Sequence, residues 1–187
     1  MVVSMNKKSG KGLSDRQVSE LSIFFNVKPG HAEQLHEALQ RFGVLTDNLD
    51  PNKRLKIGLR ELRFVIFDNG QRLLFSATFE TDWDPYIDDG IEIIGIDSYV
   101  DWLHHLVEYP LADGEPVTAT NAEVKQLLQS AQVQATWFHD VLAGKMLAEY
   151  IKASNVEAAF HRVLDDPAAA QALQHPALKP LLEQAAD

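Results

Sequence analysis

Apolar and polar positions along this chain change period several times, and each change predicts an element. Residues 21–28 are short in extent, rich in Ile, Phe and Val, and stopped by Pro29-Gly30, which predicts a strand. Over residues 31–42 the apolar positions Ala32, Leu35, Ala38, Leu39 and Phe42 recur at three- and four-residue steps, so a helix with one core-facing side follows. Residues 43–58 are polar and rich in turn formers, which predicts a long connection. Residues 61–68 and 72–80 then flank Asn69-Gly70, the dipeptide that most readily takes the positive φ angles of a type I′ hairpin. Alternation places Leu62, Phe64 and Ile66 on one face of the first of these strands and Val65 and Phe67 on the other. In the second strand Leu73, Phe75, Ala77 and Phe79 share a face, opposite Leu74, Ser76 and Thr78.

Asp84-Pro85 predicts a helix start, an acidic cap followed by proline at the first helical position. Helical character continues to about Tyr109-Pro110, with a break near Gly90 or Gly95. A short amphipathic helix at 122–130 and a fourth strand at 133–139 complete the order βαββαβ. Residues 142–152 and 156–164, the latter capped by Asn155, read as helices, and shorter pieces punctuated by Pro167, Pro176 and Pro180 follow. The pattern therefore predicts an α+β fold with an antiparallel sheet: a mobile tail at 1–18, a ferredoxin-like domain at 19–140, and a helical extension at 141–187 laid on that domain or on a partner.

Composition narrows the function classes. With 45% hydrophobic and 24% charged residues the chain can bury a core, and its net charge of -10 opposes a phosphate backbone, so nucleic acid is not an expected partner. No cysteine is present, which removes disulfides, thiolate metal sites and a cysteine nucleophile. The polar first twenty residues lack the apolar run of a signal peptide or a membrane span, and a cytoplasmic protein with no membrane partner is expected.

Residues 61–68, 72–79 and the segment Asp82-Trp83-Asp84-Pro85-Tyr86-Ile87-Asp88-Asp89 resemble the ferredoxin-like group of the dimeric α+β barrel superfamily, as does Val27-Lys28-Pro29-Gly30 before the first helix. The resemblance spans about residues 20 to 140. It implies a homodimer whose sheets pack face to face, with a mostly apolar pocket between sheet and helices for a small hydrophobic or aromatic molecule. Relatives of that fold include haem-dependent peroxidases, haem-degrading monooxygenases, quinol monooxygenases and lactone isomerases, so oxidoreductase activity and haem enter as implied candidates. The Gly-x-x-Asp-Gly haem motif of dye-decolorizing peroxidases is missing from the sequence, which weighs against the peroxidase reading.

Few residues stand out chemically. None of the seven histidines lies in a metalloprotease-type pair, and His104-His105, being adjacent, point about 100° apart on a helix, so no metal site is predicted. His31 and His36 read as surface residues. His139, after Trp137-Phe138, is the candidate acid, base or haem ligand, because a strand end beside aromatic residues can face a pocket. Arg63, on the strand face shared with Val65 and Phe67, either reaches solvent at an edge or anchors an anion. Trp83, Tyr86 and Trp137 are candidate ligand-binding walls. Asp82, Asp84, Asp88 and Asp89 form an acidic cluster that helix capping and the helix dipole explain. The alternative to ligand chemistry is a noncatalytic interaction module whose C-terminal helices cover the sheet or dock on another chain.

Overall fold

The structure, a computed structural model, describes residues 2–4, 12–112, 115–116 and 119–185. The chain divides into two compact units, Met1–Met146 and Leu147–Asp187. In the first, the strands are β1 (Val2–Ser4), β2 (Leu13–Asp15), β3 (Val18–Asn26), β4 (Leu59–Phe67), β5 (Arg72–Phe79), a small hairpin β6 (Leu111–Ala112) and β7 (Glu115–Pro116), and β8 (Gln132–Val133). Its helices are α1 (Ala32–Asp47), α2 (Pro51–Ile57), α3 (Trp83–Ile94), α4 (Ile96–Leu103) and α5 (Asn121–Ala131). The main sheet runs β1-β2-β3-β5-β4, and β8 joins β3, with every pairing antiparallel. Taken without the added β1–β2 hairpin, the order β8-β3-β5-β4 is that of a ferredoxin-like βαββαβ unit, as the hydrophobic pattern predicts.

Alternation along the strands separates two faces. Leu21, Ile23, Phe25, Leu73, Phe75, Ala77 and Phe79 are buried against the helices, where they meet Phe42, Trp83, Ile87 and Trp102. Phe24, Val65, Phe67 and Leu74, with Ser22, Ser76, Thr78 and Arg63, occupy the opposite face. The hairpin forms around Asn69-Gly70. The Gln71 N–H donates to the Asp68 carbonyl at 3.1 Å, and Asn69 and Gly70 take φ of 52° and 81°. Asp68 is also positive in φ, at 54°, so the ladder ends one pair earlier, at Phe67 and Arg72.

Four expectations for the first unit need correction. Residues 43–58 are mostly helical: α1 continues to Asp47, and Asp50 caps α2 by accepting from the Asn52 N–H at 2.8 Å, with Pro51 at the first position. The tail assigned to 1–18 contains β1 and β2, and Leu13, Asp15 and Val18 are buried, while residues 1 and 5–11 lie outside the described residues. The helix after strand β5 begins at Trp83 with Asp82 as its cap position, so Asp84 lies in the first turn, and the break falls at Gly95, whose φ is 98°. The fourth strand is two residues long instead of reaching His139, because side-chain carboxylates take the backbone N–H groups beyond it: Glu20 that of Ala135, Asp15 that of Asp140 at 3.3 Å.

The second unit is helical: α6 (Leu147–Leu164), α7 (Ala170–Leu173) and α8 (Lys179–Ala185), with single 3-10 turns at Pro167–Ala169 and Pro176–Leu178. Asn155 sits inside α6, so the two helices expected there are one. Asp166 and His175 each precede a proline and accept the N–H two residues on, from Ala168 at 2.9 Å and Ala177 at 3.2 Å. No helix among the described residues is long and apolar enough to cross a membrane.

Candidate functional site

The face of the sheet away from the core is divided along its strands. At one end Phe24 and Phe67 meet edge to face at 6.3 Å, and the Arg72 guanidinium lies 5.1 Å from the Phe67 ring centre and 5.7 Å from that of Phe24. At the other end the side chains shorten and become polar: Glu20 and Ser22 from β3, Ser76 and Thr78 from β5, Glu61 and Arg63 from β4. These line a groove of about 240 Å³, walled by Ala135, Trp137 and Phe138 from the segment that leaves β8. Trp137 is 72% exposed. A large aromatic held at a groove with so little of its surface covered is available to a ligand.

The segment that carries Trp137 is fastened by buried carboxylates. Glu20, 5% exposed, accepts from the Leu13 N–H at 2.9 Å, the Ser22 hydroxyl at 3.1 Å and the backbone of Ala135; burial raises its pKa against the pull of those donors. Asp15, 4% exposed, meets the His139 Nδ1 at 2.8 Å and takes the Asp140 N–H. The hydrogen bond from His139 holds the Asp15 carboxyl below its usual range. Arg60 in turn reaches Glu80 and Asp140, each at 3.4 Å, and the Lys145 carbonyl at 3.4 Å. The loop after His139 is therefore tied down on both sides.

This geometry orients the His139 ring. With Nδ1 donating to a buried carboxylate, the imidazole presents Nε2 as its acceptor, and the side chain is 49% exposed, with its ring 5.8 Å from that of Trp137. An imidazole oriented through Nδ1 in this way has Nε2 free to accept a proton.

The candidate residues divide between the two faces. Arg63 and Trp137 line the groove, and His139 is outside its lining, with its ring next to that of Trp137. Arg63 is 60% exposed, with Nε 3.4 Å from the Ser76 hydroxyl and a 4.0 Å approach to Glu61. Trp83 and Tyr86 lie on the core side, at 0% and 6% exposure, and Tyr86 stacks on Phe79 at 4.0 Å. Burial raises the Tyr86 hydroxyl well above its ordinary pKa. The acidic cluster is engaged by lysines: Lys125 reaches Asp84 at 2.9 Å and Asp88 at 2.7 Å, and Lys56 reaches Asp89 at 3.0 Å.

A haem does not fit this groove. Its macrocycle requires a slot well within the roughly 300–1,000 Å³ of ordinary ligand pockets, whereas the groove is smaller, has a polar floor, and is not lined by His139. Among the described residues no group of three metal-ligating side chains converges on a cation position.

Sequence reasoning set Ser76 and Thr78 on this face but missed Asp15, Glu20 and the groove that the hydroxyls floor. The alternation of Leu13, Asp15 and Val18 around a turn was the signal for Asp15, and the polar positions interrupting β3 and β5 were the signal for the floor. It also missed a second histidine contact: His31 Nδ1 lies 3.0 Å from His105 Nδ1, and His105 is 6% exposed.

No protein-family model matches the chain, and no curated protein matches it. Among solved structures it is similar to tetracenomycin F2 cyclase from Streptomyces glaucescens, a type-II polyketide cyclase, at 11% identity and a TM-score of 0.41, over 65% of this chain and 97% of that one. The fold assignment rests on the strand order and register described above.

Proposed function

We propose that the chain binds a small molecule in the groove on the open face of the sheet and that the Asp15–His139 pair exchanges a proton with it. The observation that carries this reading is the 2.8 Å contact between a buried carboxylate and a half-exposed imidazole whose ring lies 5.8 Å from that of Trp137, the exposed tryptophan that lines the groove. Trp137 and Phe138 supply the apolar wall, Arg63 and the hydroxyls fix orientation, and His139 Nε2 is the proton acceptor. The expected class is therefore acid–base chemistry on a small ring compound; haem-dependent oxidation is not part of it.

A general base contributes about 10²- to 10⁴-fold to proton abstraction. The neutral bicyclic probe 5-nitrobenzisoxazole opens when a base removes its C3 proton and the N–O bond breaks, so it reports such a base directly. Wild-type protein is expected to accelerate the opening above the buffer rate, with His139→Gln returning the rate to that of buffer and Asp15→Asn lowering it at least tenfold. Equal rates in wild type and His139→Gln would overturn the proton-exchange reading and leave the groove as a binding site without chemistry.

The apolar half of the same face serves, in this proposal, as the contact between two copies of the chain. Phe24, Val65, Phe67 and Leu74 form a continuous strip across three strands, and Val65 is 39% exposed. Sedimentation velocity is expected to show a dimer that Phe67→Asp dissociates. A wild-type chain that stays monomeric at high concentration overturns this contact.

A further inference from the structure

Reading the groove as a ligand site leaves open what kind of molecule it takes, and its floor restricts the choice. We infer that the ligand is a neutral, single-ring molecule carrying several hydrogen-bonding groups, of the chemistry shared by a monosaccharide and a nucleobase. The inference rests on the groove being the ligand site.

Three observations support it. The first is the disposition of the polar groups. The hydroxyl of Thr78 makes no hydrogen bond among the described residues, and that of Ser76 has one long contact, 3.4 Å, with Arg63. An apolar ring laid on this floor would strip water from hydroxyls and a guanidinium without replacing its hydrogen bonds, which costs more than the apolar contact returns. The second is charge. Both oxygens of Glu20 already face their own donors, Leu13 and Ser22, and Arg63 stands against Glu61 at 4.0 Å. One guanidinium and one carboxylate thus stand side by side on the floor, both exposed, so the groove offers neither sign of charge an excess of opposite charge. The third is size and shape. The groove holds about 240 Å³, below the range of drug-sized pockets, and its exposed aromatic, Trp137, offers a flat face to one ring.

Titration of the full-length ¹⁵N-labelled protein tests this, with D-glucose and uracil as neutral polar rings, benzene as the apolar ring, benzoate as the anion and benzylamine as the cation. Saturable shifts of the Ser22, Ser76, Thr78 and Trp137 amide signals are expected with D-glucose or uracil, and which of the two produces them distinguishes a sugar face from a base face. Thr78→Val, which keeps the shape of the side chain, is expected to weaken that binding at least fivefold while leaving thermal unfolding unchanged. Binding of benzene, benzoate or benzylamine at these residues as tightly as the polar rings would overturn the inference and leave the groove as a ligand site. If none of the five probes moves these signals, the groove reading fails together with it.

Discussion

At the scale of residues, Asp15 and His139 meet from positions 124 apart in the sequence, and their contact accounts for the state of each. The hydrogen bond depresses the Asp15 carboxyl, so its stabilising contribution is present above the usual carboxylate range near 3.9 and is lost as pH falls through the lower folded-state value. Replacing His139 by Gln is expected to move the Asp15 carboxyl titration upward, measured by carbon-detected NMR; an unmoved titration would mean that the pair does not form. His105 gives a second, independent pH effect. Burial, aided by the neighbouring His104 and His31 and by Lys28, pushes its pKa down to about 4, with Asp101 opposing. Between about pH 6.5 and 4 the unfolded chain binds a proton that the folded chain refuses, so stability is complete above that window and declines as pH falls through it. His105→Gln is expected to flatten the fall in melting temperature between pH 7 and pH 4.

What could be read from the sequence at this scale followed local pattern. Alternation set Arg63 on the strand face shared with Val65 and Phe67, whereas Trp137 was read as a strand residue and lies past the end of β8. Trp83 and Tyr86, read as pocket walls, are turned by the helix into the core between sheet and helices, and the acids beside them meet Lys56 and Lys125. Asp15 and the His31–His105 contact depend on tertiary proximity, which no local period carries.

Among elements, the hairpin was the clearest in sequence because Asn69-Gly70 imposes its own geometry. Gly70 has φ of 81°, and a Cβ there would lie 2.9 Å from the Cβ of Ala32 at the start of α1. Gly70→Ala is therefore expected to cost about 1–3 kcal/mol through backbone strain and crowding, read by denaturant unfolding. A change below about 0.5 kcal/mol would show that the turn relaxes freely. The fourth strand was overread for a physical reason: residues 133–139 have strand-like composition, but Glu20 takes the Ala135 N–H and Asp15 holds His139 Nδ1 and the Asp140 N–H, which draws the chain off the sheet edge. Helix α2 was overlooked because its turn-forming residues, Asp50 and Pro51, were read as a loop when they are a helix start.

For the whole molecule, every fully buried hydrophobic residue among those described precedes Met146, and α6 buries none. The first unit thus holds the core of the fold, and a chain ending at Met146 is expected to unfold cooperatively with an amide spectrum close to that of the full chain for the sheet residues. A collapsed or unfolded fragment would show that the helical unit is needed for folding. The central claim, that function lies on the open face of the sheet and not between sheet and helices, is tested most directly by titrating the labelled full-length protein with a library of single-ring fragments and mapping the shifted amides. The account predicts that they cluster at Ser22, Ser76, Thr78 and Trp137; a cluster around Trp83, Tyr86 and Tyr99 would contradict it.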